Sequence, residues 1–455
     1  MNIFAKTSLL PDGWAENVLV ELDQTGHIRA VTTGSARPGD AVQLGVLLPA
    51  PVNAHSHAFQ RAMAGLTEAR GPTSTDSFWT WRKLMYRFLE QLTPADVEAI
   101  AAFVQMEMLE AGYGASVEFH YLHHQPDGTP YTNLVEMSER VCSAAATSGI
   151  GLTLLPVLYQ YGGCDQRALA PGQCRFGNDL DQFLTLLDLA GKSLHGLPGD
   201  AVLGVASHSL RAVAQQDLKL MASLRPTSPV HMHLAEQVAE VAEVEAHWGA
   251  RPVEWALDNL DLDARWCLIH CTQMTAAESS GLAATGAIAG LCPITEASLG
   301  DGIFNGVDWM GADGKIAVGS DSNIRISLCE ELRQLDYSQR LRDRSRAALA
   351  GAEKSTGRRI FDAACVGGAR SAGRFSGRIE AGARADLMAL DADNPTLYSR
   401  KGDKLLDSFI FAGNDNMVTD VWSAGRHMVQ SGQHVRRDEI EKAYKSVLYK
   451  LDTTL

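Results

Sequence analysis

Between residues 46 and 319 the chain repeats one pattern, a short apolar run followed by a helical stretch. The apolar runs lie at 46–53, 115–119, 151–158, 201–207, 229–234, 266–270, 287–292 and 315–319. Runs of this length read as buried strands, and buried strands alternating with helices build a parallel sheet covered on both faces. Eight such units predict a closed (β/α)8 TIM barrel. An open doubly wound sheet is the rival, but it calls for a Gly-rich phosphate loop after the first strand, and none follows here. The clearest helix signal is Thr93-Pro94-Ala95-Asp96, an N-cap with proline in the first turn. Val97, Ile100, Val104 and Met108 then recur on one face until Gly112 closes the pattern.

Both ends of the chain carry a different texture. Residues 1–45 hold alternating stretches such as Val18-Leu19-Val20-Glu21-Leu22, and a similar texture returns at Gly377–Gly382, Ala385–Leu390, Val418–Trp422 and Arg426–Val429. These are strand signals. They predict a small β-sandwich built from 1–45 plus 376–435, with the barrel at 46–375 inserted and a C-terminal helical tail at 436–455. A length of 455 residues accommodates that division.

Several functional classes are excluded by charge and pattern. A net charge of −14 argues against nucleic acid or an anionic membrane as partner, since both require a cationic surface. A small anionic substrate stays compatible, because a local arginine cluster can override the overall field. No long apolar stretch follows a basic segment at the N-terminus, so no signal peptide is expected. No run is long enough to span a bilayer. The eight cysteines are scattered without a CxxC pair; Cys267 and Cys271, which flank an apolar strand, read as buried thiols. A reducing cytoplasm and a homodimer are expected.

Polar groups gather where the predicted strands end. The first strand ends in His55-Ser56-His57, and residues two apart on a strand face the same side. The fifth gives His231-Met232-His233-Leu234-Ala235-Glu236, the sixth His270-Cys271, and the eighth Ser320-Asp321-Ser322-Asn323. Each alone has a structural explanation: a hydrogen-bonded core histidine, or an aspartate capping a helix. Together they place imidazoles and a carboxylate at the C-terminal ends of four strands, where barrel active sites form. Burying so many polar groups without a purpose is costly. Three imidazoles and one carboxylate suit Zn²⁺, with water completing a catalytic site. Such a mixed shell also admits Fe²⁺ or Mn²⁺.

The H-x-H on strand 1, the H-x-x-E on strand 5, the histidine on strand 6 and the aspartate on strand 8 resemble the amidohydrolase superfamily. The Gly-x-Ile-x-x-Gly-x-x-Ala-Asp-Leu stretch at 377–387 extends the resemblance to nearly the whole chain. The resemblance implies one metal ion held by His55, His57, His233 and Asp321, because two-metal members use a strand 4 lysine that Ala201–Ser207 does not contain. It also implies Glu236 as proton carrier, His270 as hydrogen-bond donor to the attacking hydroxide, and Asp321 as acceptor of the water proton. For Glu236 the structural alternative is the first-turn carboxylate of helix 5. His231 shares the strand face of His233 and is its rival for the metal.

Substrate choice is expected to rest on the loops at the barrel mouth. Gln60 follows the H-x-H, Arg82 lies in Ser77–Met85, Tyr121 follows strand 2, and His208 and Arg211 close strand 4. Two arginines and a tyrosine can clamp carboxylates, which favours a dianionic substrate over a flat neutral base. These segments, with 291–302 after strand 7, resemble the superfamily's N-formimino-L-glutamate iminohydrolases. That resemblance implies zinc-dependent hydrolysis of a small, anionic, amino-acid-derived substrate to N-formyl-L-glutamate and ammonia, in histidine degradation. Glu296 then faces the amidine or ties down its loop, and Arg325 faces the pocket or solvent. The alternatives are a guanine-type or other nucleobase deaminase and a non-catalytic barrel scaffold.

Overall fold

The computed structural model describes residues 1–68 and 78–452, the side chains of 78–80 excepted. Ser77 of the segment that carries Arg82, and the last three residues of the predicted tail, lie outside the described residues. Eight parallel strands form the barrel: β1 (Val52–Ser56), β2 (Ala115–His120), β3 (Gly151–Leu158), β4 (Val205–Ser209), β5 (Val230–Leu234), β6 (Trp266–His270), β7 (Ile288–Leu291) and β8 (Lys315–Val318). They are hydrogen-bonded in sequence order. The seam between β8 and β1 closes just beyond the strand ends, where Ser56 and Asp321 form a parallel bridge. There the His57 amide donates to the Asp321 carbonyl (3.0 Å) and the Asp321 amide to the His55 carbonyl (2.9 Å). Below them the Asn53 carboxamide donates to Ser320 Oγ (2.7 Å) and accepts from the Ser320 amide (3.1 Å). The seam that closes the barrel is therefore the seam that carries His55, His57 and Asp321.

A second sheet is built from both ends of the chain. Asn2–Leu10, Gly13–Leu22, Ile28–Thr32 and Val42–Pro49 join Leu387–Leu390, Val418–Ser423, Arg426–Gln430 and Gln433–His434 in one continuous eight-stranded ladder. Its core brings Ile3, Val18, Val20 and Leu47 against Ala385, Leu387 and Trp422. The chain thus has the expected architecture, a (β/α)8 barrel with a small β-sandwich built from both termini. Fully buried Arg374 ties the two together through Asp386 (3.1 Å) on one side and Asp200 (3.2 Å) on the other.

Local departures from the sequence reading have identifiable causes. The apolar run 46–53 is two strands, because Val42–Pro49 pairs with Asn2–Leu10 and Leu387–Leu390 while Val52–Ser56 starts the barrel. Hydrophobicity runs straight through the break at Ala50-Pro51, where proline cannot donate to a ladder. The run 201–207 is also split. Val202–Leu203 pairs only with β3, and β4 starts after Gly204; a Cβ on that glycine would sit 2.8 Å from the Pro229 carbonyl oxygen. Gly377–Gly382, expected as strand, forms turns. Gly377 has φ +72°, and a Cβ there would lie 2.2 Å from the Cys365 carbonyl oxygen, so both conformation and space demand glycine.

The helix Pro94–Glu110 starts where the sequence places it. Asp96 accepts from the Thr93 amide (2.9 Å) and Thr93 Oγ1 accepts from the Asp96 amide (3.3 Å), a reciprocal cap. Val97, Ile100, Val104 and Met108 are all buried. The helix packs against Glu136–Ser148 and Arg437–Asp452.

Candidate active site

Three imidazoles and a carboxylate converge at the C-terminal end of the barrel. His55 Nε2 lies 3.2 Å from His57 Nε2 and 3.1 Å from His233 Nε2. Asp321 Oδ1 lies 3.2 Å from His57 Nε2 and 3.5 Å from His55 Nε2. The four donor atoms fall within 4.8 Å of one another, and all four residues are buried. The opposite ring nitrogens settle the tautomers. His57 Nδ1 meets the Phe119 carbonyl (3.1 Å) and His233 Nδ1 meets the His208 carbonyl (3.0 Å). A carbonyl only accepts, so each Nδ1 carries a proton, which leaves each Nε2 pointing inward as the atom that can offer a lone pair. His55 Nε2 can donate to only one of these two neighbours, and its Nδ1 is buried without a partner. Burial pushes His55 down to about 3 and His233 well below the usual imidazole range, so both stay neutral. Asp321 is held well below the ordinary carboxylate range: burial opposes this, but the adjoining His55 and His57 outweigh it. Converging lone pairs with an ionised carboxylate fit a divalent cation.

A second group stands beside these donors. His270 Nε2 is 3.8 Å from Asp321 Oδ2 and 3.9 Å from Glu236 Oε1, while its Nδ1 is 3.2 Å from Glu296 Oε1. Burial alone would lower His270, but Glu236, Glu296 and Asp321 overcome it and raise it to about 10. Glu236, 5% exposed, is pushed above the usual carboxyl range by burial. A carboxyl group that holds its proton more tightly than usual, in contact with the site, is suited to proton transfer. The strand-to-loop turns that present these groups are strained: Ala235, His270, Cys271 and Asp321 all have positive φ, at +53°, +71°, +51° and +48°. Non-glycine residues adopt such angles at a cost of about 1–3 kcal/mol each, typically where function requires the geometry.

The residues expected to bind substrate meet in one cleft above the donors. Gln60, Arg82, Tyr121, His208 and Arg211 border it together with His57, His233, Glu236, His270 and Asp321. Gln60 Nε2 donates to Tyr121 Oη (2.9 Å), leaving a buried Gln60 Oε1 without a partner. Arg82 donates to Tyr159 Oη (3.0 Å) and lies over the Tyr86 ring (5.3 Å). His208 is driven well below its usual range by burial and then by the charges of Arg211 and Arg82. The two guanidinium groups therefore act on the same small volume, a setting that attracts carboxylates.

The open questions of the sequence resolve individually. His231 lies one pleat deeper than His233, and its Nε2 donates to the Ser371 carbonyl (2.8 Å), so it anchors a helix end. Glu236 precedes the helix Val238–Trp248, and the end-capping role falls to Glu240, which accepts from the Ala235 and Glu236 amides. Glu296 does not border the cleft; it accepts from the Cys292 amide (2.9 Å) and holds His270 from behind. Arg325 is a surface group paired with Glu330 at 2.9 Å, its side chain 59% exposed. Cys292 comes near His270 and Asp321, but it packs with Ala54, Cys267, Ile269, Ile288 and Ala317 and does not border the cleft. The sequence reading missed Tyr159 and Phe176, which form cleft walls. Tyr159 directly follows the end of β3, and that position was its available signal. Phe176 lies in a loop helix and carried none.

The comparisons agree with this geometry. Residues 46–428 match the model of the Amidohydrolase family, and residues 1–43 match that of the Formimidoylglutamate deiminase HutF, N-terminal domain. The chain is 45% identical to a formimidoylglutamate deiminase of Pseudomonas aeruginosa, with 99% of each chain covered. It resembles the crystal structure of an amidohydrolase from Brucella melitensis with a TM-score of 0.95, 48% identity and 99% of both chains covered. An adenosine deaminase from Xanthomonas campestris with bound zinc shares the fold at a TM-score of 0.82 and 20% identity, over 99% of this chain and 98% of that one.

Proposed function

The chain belongs to the amidohydrolase family, and we propose that within it the protein hydrolyses N-formimino-L-glutamate to N-formyl-L-glutamate and ammonia, a step of histidine degradation. One observation carries the reading: Arg82 and Arg211 border the same cleft as the His57, His233 and Asp321 donors. The 45% identical relative, a formimidoylglutamate deiminase, supports it. We read the ion as a single zinc held by His55, His57, His233 and Asp321. In support, β4 offers no lysine to bridge a second ion. The eight cysteines are free thiols, seven of them buried, which suits a reducing cytoplasm. We read the assembly as a homodimer.

A bound divalent ion supplies a water whose pKa is lowered to about 7, so that hydroxide is available at neutral pH. Asp321 takes the water proton, and His270, held by Glu296, donates a hydrogen bond to the attacking oxygen. Arg82, Tyr121, His208, Arg211 and Gln60 hold the two carboxylates and set the amidine carbon in reach, which makes the attack effectively intramolecular. The new C–O bond converts that carbon to a tetrahedral centre. Glu236, or Asp321 passing on the water proton, then protonates the terminal nitrogen; its C–N bond breaks, ammonia leaves, and the hydroxyl returns its proton to the emptied carboxylate as the formyl carbonyl forms. Product analysis tests this bond choice. One ammonia and one N-formyl-L-glutamate per substrate are expected, whereas formamide and glutamate would show that the other C–N bond breaks.

A further inference from the structure

The opposite end of the barrel holds a second cavity that the reaction does not use. It lies between the helix Thr356–Ser371, the turn after it and the start of β8, is open to solvent on one side, and offers ≈ 670 Å³, well within the range of small-molecule sites. Six cationic side chains border it against two carboxylates, Asp313 and Asp362. The local charge is thus strongly positive in a chain whose net charge is −14.

Not all of these cations are spoken for. Arg374 is neutralised by Asp200 and Asp386. Lys315 meets Asp313 (3.2 Å), and Lys354 must share Asp362 with Arg358 at 2.7 and 2.8 Å. Arg359 donates only to carbonyls, those of Leu349, Ala350 and Met310, and so keeps its charge. Exposed Arg370 has no ion pair among the described residues, and Arg378 reaches Glu380 only at 3.8 Å. Ser376 borders the same space, is 5% exposed, and its buried hydroxyl has no partner. A buried hydroxyl left unpaired is costly unless a ligand or water completes it. Ile316 and Ala363 give the cavity an apolar wall, extended by Val366 (38% exposed) and Phe375 (59% exposed).

We propose that this cavity binds a small organic polyanion, one carrying two negative charges on carboxylate or phosphate groups beside a flat apolar portion. Arg370, Arg378 and the charge of Arg359 receive the anionic groups, Ser376 donates its hydroxyl, and Phe375 and Val366 cover the apolar part. The site is separate from the metal donors. Lys315, at the cavity, begins β8, whereas Asp321 lies beyond the other end of that strand. Ligand here leaves the substrate cleft open.

Calorimetric titration of the full, metal-loaded chain with isophthalate and, separately, with adenosine 5′-monophosphate tests the proposal. The two probes present the same charge on carboxylates and on a phosphate, so their ranking identifies the source of the anion. Saturable binding of one probe molecule per chain is expected from at least one of them. The double variant Arg370→Glu/Arg378→Glu, altered only at exposed side chains, is expected to weaken it by at least roughly tenfold while kcat/KM for N-formimino-L-glutamate stays unchanged. The proposal is overturned if neither probe saturates by about 5 mM, or if binding survives the charge reversal. It is equally overturned if the reversal converts a dimer to a monomer on gel filtration, since the cavity would then receive a second copy of the chain.

Discussion

Replacing Glu236 with glutamine will lower kcat by about 10²–10⁴-fold, the range expected when a positioned proton carrier is lost. The isosteric amide keeps size and polarity but cannot deliver a proton to the departing nitrogen. The argument rests on placement: Glu236 is 5% exposed, borders the cleft and stands 3.9 Å from His270 Nε2. Burial raises its carboxyl above the ordinary range, so it holds a proton more readily than an exposed glutamate does. Its backbone is held independently by Glu240, which receives the Ala235 and Glu236 amides, so the variant is expected to fold and to retain its metal. Steady-state kinetics alongside metal analysis check this. A variant with near-normal kcat would remove Glu236 from the proton path.

Arg211→Ala is expected to reduce kcat/KM by about 10²–10³-fold, the order of effect seen when one partner of a buried, charge-assisted contact is truncated. Arg211 is 8% exposed and borders the cleft beyond β4, where its charge and that of Arg82 depress His208. A carboxylate docked there gains a planar, forked partner, so Arg211→Lys restores only part of the loss. Metal content is expected to match the parent protein, because Arg211 is not among the convergent donors. Loss of the metal in Arg211→Ala would show that the residue supports the centre rather than the substrate.

The convergence of candidate donors was partly legible because strand geometry is local. Residues two apart share a face, so spacing alone gathers polar groups at the ends of β1, β5, β6 and β8, whereas the choice of His55, His57, His233 and Asp321 as ligands, and the role of His270, came from the resemblance to the amidohydrolase superfamily. What spacing does not encode is side-chain direction one pleat deeper or in a short helix. His231 and His233 are equivalent in periodicity, and only the Ser371 carbonyl distinguishes them. Glu296 sits in the first turn of a seven-residue helix, and its contact with His270 rather than with the cleft depends on how β7 and β6 pack. Phe176 reaches the cleft through a connection whose path no periodicity describes. The split of 46–53 into two strands was invisible for a related reason. Both halves are apolar because both are buried, though in different sheets.

The substrate assignment joins the metal donors to the arginines, and ammonia release tests that union most directly. The metal-loaded protein would be assayed against N-formimino-L-glutamate and against guanine under the same conditions. Rapid release from N-formimino-L-glutamate with none from guanine is the predicted result. Release from guanine with none from N-formimino-L-glutamate would contradict it, leaving the hydrolytic centre in place and the reading of Arg82 and Arg211 wrong.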